Sequence, residues 1–256
     1  MNNKKLLFIA GKGLSSQIVL NALHKSFGVD AAIFEEKENT KTFLKRRVKK
    51  LGYLQVAGQI MFQLIIVPLL RRQAAVVIDA MLHKATLDTT ENVDIPVHKV
   101  ASANDKSTIA LIQKIQPEII VINGTRILSK KLLAAIQCPV INMHAGITPK
   151  YRGVHGAYWA LVNGDEKNCG VTVHMVDAGV DTGDVLYQSH IKRAPEDNFL
   201  TYPIKQLITG IPFLLKAVED GFSNKLTPYS IEGDSKQWYH PTIWQYLYVR
   251  FKRGIK

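Results

Sequence analysis

An α/β fold with a mainly parallel, Rossmann-like sheet, helices on both faces and a short C-terminal extension is predicted by three features of the sequence. Short runs of consecutive apolar residues lie at 6–10 and 119–122, and strand candidates interrupted by polar residues lie at 29–34, 97–100 and 140–143. Segments with helical spacing of apolar residues lie between several of them, at 15–25, 107–115 and 128–136. Strands that are apolar at successive positions are covered on both sides, the situation of a parallel sheet between helix layers. The 256 residues, 46% hydrophobic and 21% charged, suffice for one large domain with a sizeable core.

The opening run at 6–10 ends at Gly11-Lys12-Gly13 and reads as a buried strand, a turn and a helix start. It is too short for a signal peptide, and the glycines interrupt it. The same residues do not complete a dinucleotide or P-loop fingerprint. Lys12 and the neighbouring backbone amides are therefore kept as a contact for an anionic substrate group. Cys138 and Cys169 show neither a metal-ligand spacing nor a disulfide framework, so a reducing, cytoplasmic setting without a metal is expected.

Between about 38 and 92 the rhythm breaks. Lys41, Lys45, Arg46, Arg47, Lys49 and Lys50 crowd one stretch, and an apolar run at 54–70 follows, closed by Arg71-Arg72. That run is shorter than the ~20 residues of a spanning helix and contains Pro68. Gln55, Gln59 and Gln63 would line one polar stripe of a helix and leave a broad apolar remainder. Two readings stay open: a basic amphipathic helix lying on an anionic membrane at its inner face, or a helix packed on the domain's own sheet beside a solvated basic flank. The net charge of +12 favours anionic partners in general.

The α/β pattern resumes after Asp94-Ile95-Pro96. A helical pattern at 201–217 is interrupted by Gly210 and Pro212, and the tail from 238 mixes Trp238, Tyr239, Trp244, Tyr246, Tyr248 and Phe251 with Arg250, Lys252, Arg253 and Lys256. Such a tail suits a bilayer interface or a homodimer contact. The expected division is a main domain at 1–200 carrying the 38–92 insertion, followed by an extension at 201–256.

In open α/β sheets ligands bind beyond the carboxyl ends of the strands, which directs attention to the polar residues after 122 and 141. Three segments stand out: Asn142-Met143-His144, leading into Thr148-Pro149-Lys150-Tyr151-Arg152-Gly153; Gly170-Val171-Thr172-Val173-His174; and Asp177-Ala178-Gly179-Val180-Asp181-Thr182-Gly183-Asp184. Asn142 and His144 are two residues apart, so on a strand they share a face. Both can donate to an oxygen that becomes negative during acyl transfer. A carboxylate beside the imidazole, assigned to Asp181, can raise its pKa, position a water and accept charge. His155 and His174 are weaker candidates, with His174 read as a packing or hydrogen-bonding residue, and Asp184 as a residue that holds its loop.

In this order and spacing the segments resemble the N-terminal catalytic domain of the folate-dependent formyltransferase family, strongly over 117–188 and more faintly over 4–34. The resemblance implies that residues 1–200 are a formyltransferase domain, with 10-formyltetrahydrofolate as donor and Asn142, His144 and Asp181 as catalytic residues. It further implies a folate pocket made by Arg126, Ile127 and Leu128 with Val176, Asp177, Ala178, Gly179 and Val180. Tyr151, Arg152 and Gly153 are the corresponding substrate contacts.

The resemblance implies a small-molecule amine as the acceptor. The Tyr151-Arg152-Gly153 and Tyr158-Trp159-Ala160-Leu161 elements look most like the sugar N-formyltransferases, whose acceptors are nucleotide-linked amino sugars. The expected role is therefore formylation of an amino sugar on a nucleotide or lipid carrier, serving polysaccharide synthesis. Residues 201–256 are few for the RNA-gripping barrel of the tRNA enzymes, and nucleic acid is not an expected partner. Ala145-Gly146-Ile147-Thr148-Pro149 departs from the Ser-Leu-Leu-Pro of the purine enzymes. Alternatives are transfer to glycinamide ribonucleotide or methionyl-tRNA, formylfolate hydrolysis, and a peripheral membrane or nucleic-acid-binding protein with a decayed site.

Overall fold

The computed structural model describes residues 4–90 and 94–256; the last two residues of the expected insertion, 91 and 92, lie outside the described residues. The apolar run at 6–10 forms β1 (Leu6–Gly11), and α1 (Leu14–Phe27) returns the chain to β2 (Ala31–Glu35). The insertion follows as α2 (Thr40–Leu51), α3 (Tyr53–Met61), a π-helical turn (Phe62–Ile66) and α4 (Val67–Lys84). Next come β3 (Val97–Val100), α5 (Lys106–Ile115), β4 (Ile119–Asn123), α6 (Lys130–Ala134) and β5 (Val140–His144). A two-residue strand β6 (Arg152–Gly153), α7 (Gly156–Val162), β7 (Gly170–Met175) and β8 (Val185–His190) complete the site region. The chain ends with α8 (Thr201–Phe222), a second short strand β9 (Gln237–Trp238) and α9 (Ile243–Arg253).

The main sheet has the order β3-β2-β1-β4-β5-β7-β8, parallel from β3 to β5 and antiparallel at β7 and β8. Alternation along β1 shows how the sheet is covered. Leu6, Phe8 and Ala10 join one core with Ile18, Leu20 and Leu23 of α1 and Leu207, Ile211 and Leu214 of α8. Leu7 and Ile9 join another, with Ile112 of α5 and Leu132 of α6. Both faces are buried, as the unbroken apolar strands require.

Two expectations change here. Gly210 and Pro212 do not break the last helical pattern, and α8 runs through both. Because α8 shares its core with β5 and β7, a boundary at 200 would cut one hydrophobic core in two. Tertiary burial outweighs the local helix penalty of these residues.

A third cluster joins the insertion to the tail. Phe62 and Leu70 pack with Tyr158, Phe199, Tyr202, Tyr246 and Val249. The fully buried Phe62 ring meets Phe199 edge-on at 4.9 Å and Tyr246 at 5.1 Å. The π-turn begins at Phe62, and its extra residue per turn lets Phe62 and Val67, five apart, both face inward. Phe62→Ala is expected to cost about 3–5 kcal/mol of stability, measured by denaturant unfolding. A loss under about 1 kcal/mol would show that the insertion is not integral to the fold.

Candidate active site

β5 ends at the carboxyl edge of the sheet with Asn142 and His144 on one face, while Met143 turns into the core. The antiparallel partner β7 sets Asn142 opposite His174 and His144 opposite Thr172. Asn142 Nδ2 donates to His174 Nε2 at 3.0 Å, and His174 Nδ1 donates to the Met175 carbonyl at 2.7 Å. This chain of bonds sets the His174 tautomer and the orientation of the Asn142 amide.

Asp181 approaches from the loop between β7 and β8. Its Oδ2 lies 3.3 Å from His144 Nδ1 and accepts the Gly153 N–H at 2.9 Å, while Oδ1 lies 3.7 Å from His174 Nε2. Asp181 adopts a left-handed backbone, φ 51°, a conformation that aspartate tolerates better than most residues. The loop is held by its own side chains. Asp177 accepts from Gly179 N and Thr182 Oγ1, at 2.9 Å and 2.7 Å. Arg152 Nη1 donates to the Val180 carbonyl at 2.8 Å, and Ser230 Oγ donates to Asp184 at 2.7 Å.

Burial raises the Asp181 carboxyl, but the His144 ring, the His174 contact and the Gly153 N–H outweigh it and hold the group down at about 2. Burial lowers the His144 pKa, opposed by the Asp181 charge and the Tyr151 carbonyl, which lies 2.8 Å from Nε2. Both nitrogens of His144 thus face acceptors, so a doubly protonated ring is hydrogen-bonded at each end. We take the ionised Asp181 as the fixed partner, since the Gly153 N–H stabilises it whatever the charge on the ring.

Around these groups opens a cleft of about 790 Å³. One side is lined by Ile122, Arg126, Ile127, Leu128 and by Val176, Asp177, Gly179 and Val180. Arg126 is tied down through its backbone N–H to the buried Glu35 and through its guanidinium to the carbonyls of Glu36 and Ala101. The opposite side holds Arg46, Arg47 and Lys50 of α2 together with Gln237, Trp238 and Tyr239.

The cleft thus brings together Asn142, His144 and Asp181 with all the expected pocket residues except Ala178, which is absent from its lining. The expected substrate contacts separate. Gly153 lines the cleft, with φ 95°, and a Cβ there would sit 2.3 Å from the Trp238 carbonyl. Tyr151 is corrected: its side chain is fully buried and its hydroxyl donates to Asp165, leaving only its carbonyl at the site. Arg152 is likewise spent on Val180 and Ser235 and acts as a brace. Lys12 is exposed in the β1–α1 turn, outside the cleft lining.

Two contributions escape the linear sequence. His174 becomes a site residue only through its register with Asn142 across two strands. Arg46, Arg47 and Lys50 reach the cleft only because α2 folds against the tail: Lys50 Nζ donates to Gln237 at 3.2 Å, and the Arg47 guanidinium stands 5.3 Å from the Tyr239 ring centre.

Behind this wall the glutamines of the insertion turn inward. Gln59 accepts from Arg47 Nε at 3.0 Å and donates to the His240 carbonyl at 2.8 Å, and Gln63 Nε2 donates to His240 Nδ1 at 3.1 Å. Burial, then the Arg47 charge, lowers His240 from 6.5 to about 4. Unfolded histidine takes its proton below about 6.5, and this folded ring does so only near 4. Its full contribution is therefore present above 6.5 and lost across 6.5 to 4, about 3 kcal/mol in all. His240→Asn, which keeps an acceptor near Nδ1, is expected to flatten that dependence in denaturant unfolding at pH 7.5 and 4.5. Equal pH slopes for both proteins would contradict the assignment.

Residues 4–205 match the family described as formyl transferase. A methionyl-tRNA formyltransferase of Thermodesulfovibrio yellowstonii is 33% identical over 141 residues, 55% of this chain and 46% of that protein. The matched region spans about half the length of that curated relative. Among solved structures, a sugar N-formyltransferase from a Shewanella species superposes with a TM-score of 0.58 at 13% identity, covering 92% of this chain and 76% of that one. Glycinamide ribonucleotide transformylase 1 of Symbiobacterium toebii gives a TM-score of 0.58 at 15% identity, covering 91% and 93%. At these identities the two structures share the fold.

Proposed function

Because the chain belongs to the formyl transferase family, we propose that it moves a formyl group from 10-formyltetrahydrofolate onto the amine of an amino sugar held on a phosphorylated carrier. The observation that carries this reading is the convergence of Asn142, His144 and Asp181 at one end of a cleft with an apolar side and a basic side.

The apolar side fits the donor. Ile122, Leu128 and Val176 offer flat walls, and about 790 Å³ lies within the range of small-molecule sites. Bound there, the folate would supply an activated formyl carbon close to β5. Asn142 Nδ2 has a second N–H beyond the one given to His174, and this hydrogen is the donor for the formyl oxygen as charge builds on it. His144 would take the proton released by the attacking amine as the new C–N bond forms, and return it to the folate nitrogen as the bond from that nitrogen to the formyl carbon breaks. The imidazolium so formed is stabilised by the Asp181 carboxylate on one side and the Tyr151 carbonyl on the other. Burial keeps the ring from holding that proton permanently.

The basic side fits the carrier. Arg46, Arg47 and Lys50 suit phosphate oxygens, and Trp238 and Tyr239 line the same wall. A phosphorylated carrier is favoured over an uncharged amine for that reason.

Formyl transfer from 10-formyltetrahydrofolate to a panel of nucleotide-linked amino sugars is the direct test. Turnover confined to glycinamide ribonucleotide, or formate release at the same rate without any amine, would refute the acceptor assignment. Asn142→Ala, His144→Ala and Asp181→Ala are each expected to lower kcat by about 10²-fold or more with folding intact by circular dichroism. A folded Asp181→Ala protein with normal kcat would remove that carboxylate from the mechanism. Arg46→Gln with Lys50→Gln is expected to raise KM for a phosphorylated acceptor at little cost in kcat. An unchanged KM would place the phosphate elsewhere.

A further inference from the structure

The insertion has its polarity reversed relative to a helix that serves its own core. Gln59, from the expected polar stripe, is only 5% exposed, whereas Tyr53, Leu54 and Leu64 are 83%, 76% and 72% exposed. Leu69 and Val76 continue this outward apolar surface along α4. The helical run Tyr53–Lys84 is 32 residues long, and its most apolar 18-residue stretch has a mean hydropathy of 1.7. It does not stand free to cross a bilayer. Phe62 and Leu70 are locked into the third core cluster, and the Leu70 carbonyl accepts from Asn198 at 3.3 Å. Arg71 and Arg72 are exposed midway along it, where a spanning helix would place them in hydrocarbon at high cost. A helix held along one side and apolar on the other lies flat.

A second stripe adjoins it. Trp244, Tyr248 and Phe251 recur at intervals of four and three on the outer face of α9, and Phe251 is 80% exposed. The Trp244 ring packs directly on Gly58 of α3, where a Cβ would come within 2.2 Å of it, so the two stripes form one surface.

Charge selects the occupant. Residues 39–84 contain nine lysines and arginines against one acid, Asp79, and residues 235–256 contain five and no acid. A second copy seated here by a two-fold axis would set an excess of positive charge against itself. An anionic lipid surface neutralises it, while aromatic and aliphatic side chains enter the interface and lysine and arginine reach the headgroups.

We infer that the outer faces of α3, α4 and α9 form a docking surface for an anionic bilayer, with the helices lying in its plane. Leu51, which lines the cleft, is two residues from the exposed Tyr53, so docking brings the mouth of the cleft to headgroup level. On the proposed function, the acceptor amine is then carried by an anionic lipid.

The test is co-sedimentation of the full chain with vesicles of phosphatidylcholine alone or mixed with about one third phosphatidylglycerol. Binding is expected only to the anionic vesicles, and it should weaken in high salt. The combined variant Leu64→Gln, Tyr248→Gln, Phe251→Gln is expected to partition about tenfold less or lower, with an unchanged unfolding temperature and unchanged transfer to a soluble acceptor. No binding by the unaltered chain, or equal binding by the variant, overturns the inference. So does a dimer in analytical ultracentrifugation that the same variant dissociates, which would identify a second copy as the occupant. Loss of formyl transfer with vesicle binding intact would strike the proposed function and leave this surface standing.

Discussion

The Asp181 carboxylate is the constraint on which the site depends. A carboxylate taken out of water is costly unless its oxygens are hydrogen-bonded or paired. Here one carboxylate oxygen receives the Gly153 N–H and faces His144 Nδ1. To reach that position the backbone turns left-handed at Asp181, and the surrounding loop is organised to keep it there. Asp177 spends its carboxylate on Gly179 and Thr182, and Arg152 spends its guanidinium on Val180 and Ser235. Residues that look like ligand contacts in the sequence thus serve the geometry of another residue.

The same constraint reaches the C-terminal segment. Gly153 can donate to Asp181 because β6 is pinned in parallel register with β9, Arg152 beside Gln237 and Gly153 beside Trp238. Trp238 is fixed in turn by its indole N–H on the Lys150 carbonyl at 3.0 Å and by stacking on Trp159 at 4.8 Å. A segment remote in sequence therefore sets a backbone donor of the site, and it also supplies one wall of the cleft. The insertion completes that wall from the other side: Arg47, shared between Gln59 and the Tyr239 ring, couples α2 to both α3 and the tail.

Much of this was legible from order and spacing. The strand runs at 6–10, 97–100, 119–122 and 140–143 became β1, β3, β4 and β5 with shifts of at most one residue at either end. At 6–10 and 119–122 consecutive apolar residues allow few alternatives once both faces are covered. Asn142 and His144 were identifiable as a pair because a two-residue spacing on a strand is a geometric statement in itself. The glutamines illustrate the limit. Their spacing marks a stripe, but periodicity carries no sign, and the stripe faced the protein because Arg47 and His240 wait there to bond it.

The amino-acid sequence by itself determined the α/β architecture, the polar residues at the carboxyl edge of the sheet and the basic, apolar character of the insertion. All three follow from local pattern, in which each residue's neighbours along the chain decide its environment. Only the tertiary structure decided that His174 holds Asn142, that Tyr151 contributes a carbonyl rather than a hydroxyl, and that α2 and the tail close the cleft. Those outcomes depend on which groups meet across strands and between remote segments, and burial then determines which hydrogen bonds must be made and which faces are left to solvent.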